Sequence, residues 1–337
     1  MAWPAPQIGI ECSARRRPRL PVGEAQLSVL VLDGVTKRFE GFTAVDKLSF
    51  EVPESGIFGF LGANGAGKTT TLRMALDILR PTSGTIQVLG QAPGRRGGGE
   101  VGFLPEERGL YRQMTVLETV IYFGQLKGMA TGAASASAET LIERFGLAPF
   151  ARRKVEQLSK GMAQKVQLAA ALVTAPRLLI LDEPFAGLDP VNQSVLEDVV
   201  LERAKAGSTV IFSTHVMQHA ERLCDRLLLI ARGRKVFQGS QEEARGQLPA
   251  RLSLAARDDP SRLPGVERAV ATGAADGGWA NWDITLSPGA SAGALLETCT
   301  SGGFALRSFE THRASLHEVF LHLAGSGQAG ETSEVRS

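Results

Sequence analysis

The chain has 337 residues, 43% of them hydrophobic and 21% charged, with 37 Lys plus Arg against 35 Asp plus Glu for a net charge of +2. At roughly 150 residues per domain this leaves room for about two domains with real cores and excludes a chain disordered throughout. The near-zero net charge excludes an overall field that would draw the chain onto nucleic acid, so no nucleic-acid partner is expected. Cys12, Cys224 and Cys299 lie far apart with no CxxC spacing, which argues against a disulfide framework or a structural zinc and fits a reducing, cytosolic compartment. Even the apolar stretch 168–181 is broken by Pro176 and Arg177, so no segment reads as a membrane span.

Residues 1–27 carry Pro4, Pro6, Pro18 and Pro21 with an arginine cluster, and Glu24 interrupts what would be the apolar core of a signal peptide. They read as a disordered leader or a mis-assigned start. Short β-type runs follow at 29–32, 48–52 and 57–61, then helical stretches alternate with apolar strands at 177–181, 209–213 and 227–230. That alternation predicts an α/β domain with a largely parallel sheet over 28–240. Between about 107 and 172 the strand signal disappears, which predicts a helical insertion whose helices are separated by the Gly/Ala/Ser stretch 129–138. After 240, β-like runs at 251–255, 266–271, 281–286 and 305–311 join helical segments at 290–300 and 315–324. These predict a small α+β domain over 241–325 and a polar, disordered tail over 326–337.

The strongest chemical signal is Gly62-Ala63-Asn64-Gly65-Ala66-Gly67-Lys68-Thr69, a complete GxxxxGK[ST] between the run 57–61 and a predicted helix over 70–79. Glycines let successive backbone N–H groups curl around phosphates, Lys68 reaches the β and γ phosphates, and the Thr69 hydroxyl can ligate Mg²⁺. Thr70 is grouped with this phosphate-binding set. Leu72, Ala75, Leu76 and Leu79 recur at helical spacing as core positions, and Pro81 ends the helix. The apolar run 178–181 ends in Asp182-Glu183, where one carboxylate can meet a nucleotide's metal and the next can activate water. Ser159, 23 residues before Asp182, is an N-cap by position, and with Gly161 it also suits a phosphate ligand; the two roles are compatible. Gly187-Leu188-Asp189-Pro190 reads as a turn. Ser213-Thr214-His215 closes a strand, where a histidine is either incidental or chemical.

In this order the pieces resemble the ATP-binding cassette family, specifically the P-loop NTPase subunits of ABC-2-type exporters. The resemblance covers residues 28–240 and is similar to the branch of sodium-export and drug-export ATPases. It implies that Lys68 and Thr69 belong to Walker A, Asp182 and Glu183 to Walker B, and Asp189 to the D-loop. It makes His215 the switch histidine, places Ser159 and Gly161 in the signature, and puts Phe39 where an aromatic stacks on adenine. Two departures stand out. The signature reads Leu158-Ser159-Lys160-Gly161-Met162 in place of Leu-Ser-Gly-Gly-Gln, and Glu106 stands where most cassettes carry Gln, as a further metal ligand beside Thr69 and Asp182. The segment 315–321 looks like the end of the branch's accessory domain.

The implied activity is Mg²⁺-dependent ATP hydrolysis between two copies in a head-to-tail sandwich. Glu183 would polarise the water and His215 would hold the γ-phosphate. Closure would drive a separate transmembrane permease at the cytoplasmic face. The competing reading, a soluble ABC ATPase acting on ribosomes or DNA, goes with tandem cassettes or a long coiled coil, and neither is visible. A nucleotide sensor without turnover would not need Glu183 and His215.

Overall fold

The computed structural model describes residues 28–94, 99–107, 109–275 and 277–329. The expected leader over 1–27 lies outside the described residues, as does the expected tail from 330 onward.

Strands β1 (Ser28–Phe39) and β2 (Phe42–Pro53) form an antiparallel pair, and β3 (Gly56–Leu61) leads through a loop into α1 (Lys68–Ala75). Strand β4 (Ser83–Val88) pairs with β1 to complete a three-stranded sheet, ordered β2-β1-β4. After β5 (Val101–Leu104) come the helices α2 (Val116–Leu126), α3 (Thr131–Arg144) and α4 (Lys160–Leu172). Strand and helix then alternate through β6 (Leu178–Asp182), α5 (Pro190–Lys205), β7 (Thr209–Thr214), α6 (Met217–Leu223) and β8 (Arg226–Ala231). Strand β9 (Arg234–Ser240) and the short α7 (Gln241–Arg245) follow. The central sheet is ordered β5-β6-β7-β3-β8-β9, parallel except for β9.

Successive residues of the central strands pack on opposite sides, as the pleat requires. Leu179, Leu181, Val210 and Phe212 face the core shared with the helices. Leu178, Ile180 and Ile211 face α1 and the three-stranded sheet. Double-sided burial is why these strands read as uninterrupted apolar runs.

Beyond α7, β10 (Arg251–Ala256), β11 (Val266–Ala275), β12 (Trp279–Leu286) and β13 (Leu306–His312) build an antiparallel sheet ordered β11-β12-β10-β13, with α8 (Ala292–Ser301) between β12 and β13. It has its own core around Leu252, Leu254, Ile284, Leu295 and Cys299. The last described helix, α9 (Leu316–Ala329), does not share it: Leu316 and Val319 join the core of the large domain.

Two sequence expectations need correction. The stretch 129–138 is no separator, because α3 runs through it. Alanine carries no side-chain entropy cost in a helix, and buried Ala134 and Ala138 let α3 approach α2, where a Cβ on Gly124 would sit 3.0 Å from that of Ala134. Helix α1 starts at Lys68 and stops at Ala75, short of the predicted residue 79, since Asp77 turns left-handed at φ 59° and Ile78 and Leu79 both bond back to the Arg73 carbonyl. Leu76 and Leu79 still pack on the core.

Candidate functional site

The loop joining β3 to α1 is shaped by close backbone approaches. A Cβ on Gly62 would lie 2.5 Å from the Ile230 carbonyl oxygen, and one on Gly67 would lie 2.6 Å from that of Ala44. Gly67 also takes φ +101° as it caps α1, a conformation that costs glycine little. Lys68, 5% exposed, folds back so that Nζ donates to the Gly62 carbonyl at 2.8 Å and to that of Ala63 at 3.3 Å.

The parallel pairing of β6 with β7 sets Asp182 beside Ser213. Ser213 Oγ donates to Asp182 Oδ1 and accepts from the Glu183 N–H at 3.0 Å, while Thr69 Oγ1 donates to the same Asp182 oxygen at 3.2 Å. Glu183 holds a left-handed φ of 47°, which costs a non-glycine residue on the order of 1–3 kcal/mol and persists only where the surroundings impose it. Its buried Oε1 lies 3.4 Å from Lys68 Nζ and 3.0 Å from His215 Nδ1. A carboxylate, an ammonium and an imidazole thus meet at the C-terminal edge of the sheet.

They open onto a cavity of about 410 Å³, lined also by Asn64, Gly65, Gly67, Thr69, Thr70, Glu106, Ala44, Ala186 and Phe42. Of the residues singled out from the sequence around this loop, Gly62, Ala63, Ala66 and Asp182 are not part of the cavity lining. Phe39 does not line it. The aromatic at the wall is Phe42, 60% exposed, whose ring stacks on Phe39 with centroids 5.5 Å apart. Phe42 carries no motif, and only an exposed aromatic three residues beyond Phe39 could have drawn attention to it. Ser213 was equally hidden, because its role depends on the register between two strands far apart in sequence.

Ser159, Gly161 and Asp189 form a second group away from the cavity wall. Ser159 caps α4, accepting from the Met162 N–H at 3.3 Å. Asp189 caps α5, accepting from the Asn192 N–H at 2.9 Å and from Asn192 Nδ2 at 2.6 Å. The backbone hydrogen bond holds the Asp189 carboxyl below its ordinary pKa. A Cβ on Gly161 would sit 3.1 Å from Asn192 Nδ2, so the two segments adjoin through Asn192.

Thr69, Asp182 and Glu106 offer hard oxygen donors. Among the described residues no group of three or more His, Cys, Asp or Glu is gathered to hold a metal alone. This partial set fits Mg²⁺, which takes few protein ligands and completes its shell with phosphate oxygens and water.

Residues 45–186 match the family described as ABC transporter. An uncharacterized ABC transporter ATP-binding protein of Bacillus subtilis (strain 168) is 39% identical over 305 residues, covering 88% of this chain and 99% of the relative. Nod factor export ATP-binding protein I of Paraburkholderia xenovorans (strain LB400) is 40% identical over 216 residues, 63% of this chain and 71% of that protein. A solved structure described as the ATP-binding subunit of an ABC transporter superposes with a TM-score of 0.61 at 27% identity, over 65% of this chain and 93% of that one. The cbiO1 protein of Clostridium perfringens, described as part of an ABC transporter complex, gives 0.56 at 25% identity, over 64% and 90%.

Proposed function

Because the chain belongs to the ABC transporter ATP-binding protein family, we propose that it is the ATP-hydrolysing subunit of an ABC-2-type exporter that energises a separate membrane permease from the cytoplasmic side. The observation that carries this reading is the convergence of Lys68, Glu183 and His215 at one cavity edge. Export is supported by the likeness to a Nod factor export ATP-binding protein. Among the described residues no helix is long and apolar enough to cross a membrane, so a spanning partner is part of the proposal.

ATP is the substrate. Its β and γ phosphates would take the place of the carbonyls and carboxylate that now hold the Lys68 ammonium, with the loop 62–70 wrapped around them. Thr69, Asp182 and Glu106 would hold Mg²⁺, which when bound neutralises phosphate charge. Glu183 accepts the proton of the attacking water, and His215 holds the γ-phosphate. Ser159 and Gly161 do not line the cavity of their own copy, which supports their service to the site of a second copy placed head to tail, with Asp189 at the contact. The ATPase unit is assigned to 28–240 with its helical subdomain at about 107–172, and the accessory unit to 241–325, whose closing helix α9 packs back on the ATPase unit.

Glu183→Gln tests the reading. Removal of the general base is expected to lower phosphate release by about 10²–10⁴-fold, with ATP affinity retained and an ATP-dependent dimer visible by light scattering. Undiminished phosphate release would refute the assignment. A neighbouring reading frame encoding about six segments long enough to span a bilayer would support the permease.

A further inference from the structure

Behind the cavity, a cluster of mostly buried side chains takes no part in the chemistry just described. The His219 ring, on α6, stacks on Phe185 with centroids 4.2 Å apart and 13° between the planes. Phe185 in turn meets Phe212 of β7 edge-on at 5.8 Å. Glu197 of α5 faces the imidazole, its Oε1 3.9 Å from His219 Nδ1, and its other oxygen accepts from Arg222 Nη2 at 2.5 Å. His219 Nδ1 and Glu197 Oε1 are buried without a hydrogen bond. The imidazole therefore contributes here through its ring face. Burial lowers its pKa, opposed by the charge of Glu197 and assisted by that of Arg222, which favours the neutral ring that stacks as an aromatic.

Phe185 lies two residues beyond Glu183, and the intervening Pro184 has little freedom in φ. The Pro184 carbonyl accepts from Gln164 Nε2 at 2.6 Å, and the Ala186 N–H bonds back to the Glu183 carbonyl at 3.1 Å. Glu183 keeps its left-handed backbone only while this short segment is held. The Phe185 ring, clamped between Phe212 and His219, holds it from the interior.

We propose that His219 is a positioning residue for ATP hydrolysis: its ring clamps Phe185 and so fixes the Glu183 carboxylate for the attacking water. The inference rests on Glu183 being the general base.

The test compares purified full-length parent, His219→Ala, His219→Phe and Glu183→Gln proteins for ATP affinity and for kcat. His219→Ala is expected to keep ATP affinity within about threefold while kcat falls by about tenfold or more, the signature of an interaction needed only for the chemical step. His219→Phe, which restores a ring face, is expected to bring kcat back to within about threefold of the parent. Should His219→Ala not fold, His219→Leu replaces it, filling the space without a ring face. The inference is overturned by an unchanged kcat in the ringless variant, by a loss of ATP affinity matching the loss of kcat, or by failure of Phe to rescue. Glu183→Gln separates the two readings. If it still hydrolyses ATP, the base assignment fails; if it is inactive while the ringless variant turns over normally, only the role of His219 fails.

Discussion

Glu106 stands exposed at the edge of the phosphate cavity, whereas Glu183 is buried 3.4 Å from the Lys68 ammonium. The two carboxylates therefore meet an incoming triphosphate differently. Glu183 already has a cationic neighbour, and removing that cation leaves a buried charge with weaker support while depriving the phosphates of their main partner. Lys68→Ala is accordingly expected to abolish measurable ATP binding in a calorimetric titration, and binding near the parent affinity would sink the phosphate assignment. Glu106 has no such screen. On the proposed reading its charge repels the triphosphate when no metal is present, an effect that solvent screening keeps small for an exposed carboxylate, and bound Mg²⁺ would reverse the sign. Under the proposed function, Glu106→Gln should flatten the dependence of ATP affinity on Mg²⁺ while sparing most hydrolysis, since the proposed base, Glu183, is untouched. Titrating ATP affinity against Mg²⁺ in both proteins checks this, with identical curves counting against a metal role.

Helix α2 is capped at its C-terminus by Lys127, whose Nζ donates to the Ala171 carbonyl at 3.4 Å beside an apolar groove lined by Val101, Phe103, Leu110 and Phe123. Burial lowers its pKa from 10.5 to about 8. Between these values the unfolded chain binds more protons than the folded one, so stability rises with pH through that window. The penalty is fully present below about pH 8 and gone above about 10.5. Lys127→Met should therefore stabilise the protein by up to about 3 kcal/mol at pH 7, with the advantage shrinking by pH 9.5 in urea denaturation; a pH-independent gain would mean packing rather than charge. Nothing in the sequence marked Lys127, because a lysine after an amphipathic helix reads as a solvated end. The same limit runs through the other elements. Strands β3, β6, β7 and β8 were legible because burial on both faces leaves unbroken apolar runs. Strand β4 escaped because its buried residues, Ile86 and Val88, alternate with exposed ones, and β5 because it is four residues long and includes Gly102. The loop 62–69 and the pair Asp182-Glu183 were legible as local patterns tied to strand ends. What brings them to His215 and Ser213 is parallel register, which no local pattern encodes.

The described chain closes on itself through α9. After α7 it leaves the large domain, builds the four-stranded sheet with a separate core, and returns through α9, where Leu316 and Val319 are fully buried against Ala220, Leu223 and Ala244. The junction is also polar: the Leu316 N–H donates to Glu221 Oε1 at 2.5 Å, and Arg245 Nε donates to the Ala314 carbonyl at 2.9 Å. The sequence reading assigned α9 to the accessory unit, because the helical segment 315–324 follows that unit's β-like runs and nothing local tells which core receives its apolar face. Burying two such side chains contributes about 1.5–3 kcal/mol each, a large share of the roughly 5–15 kcal/mol by which a domain is stable. Leu316→Ala should therefore cost about 2–5 kcal/mol, and the loss should fall on the nucleotide-binding domain. Urea denaturation of the full-length protein, followed by fluorescence of bound nucleotide analogue and by circular dichroism, separates the possibilities. The expected result is an earlier midpoint for loss of nucleotide binding. If binding persists to the parent midpoint while only part of the circular dichroism signal is lost early, α9 stabilises the small domain alone, and its packing on α6 contributes nothing to the ATPase unit.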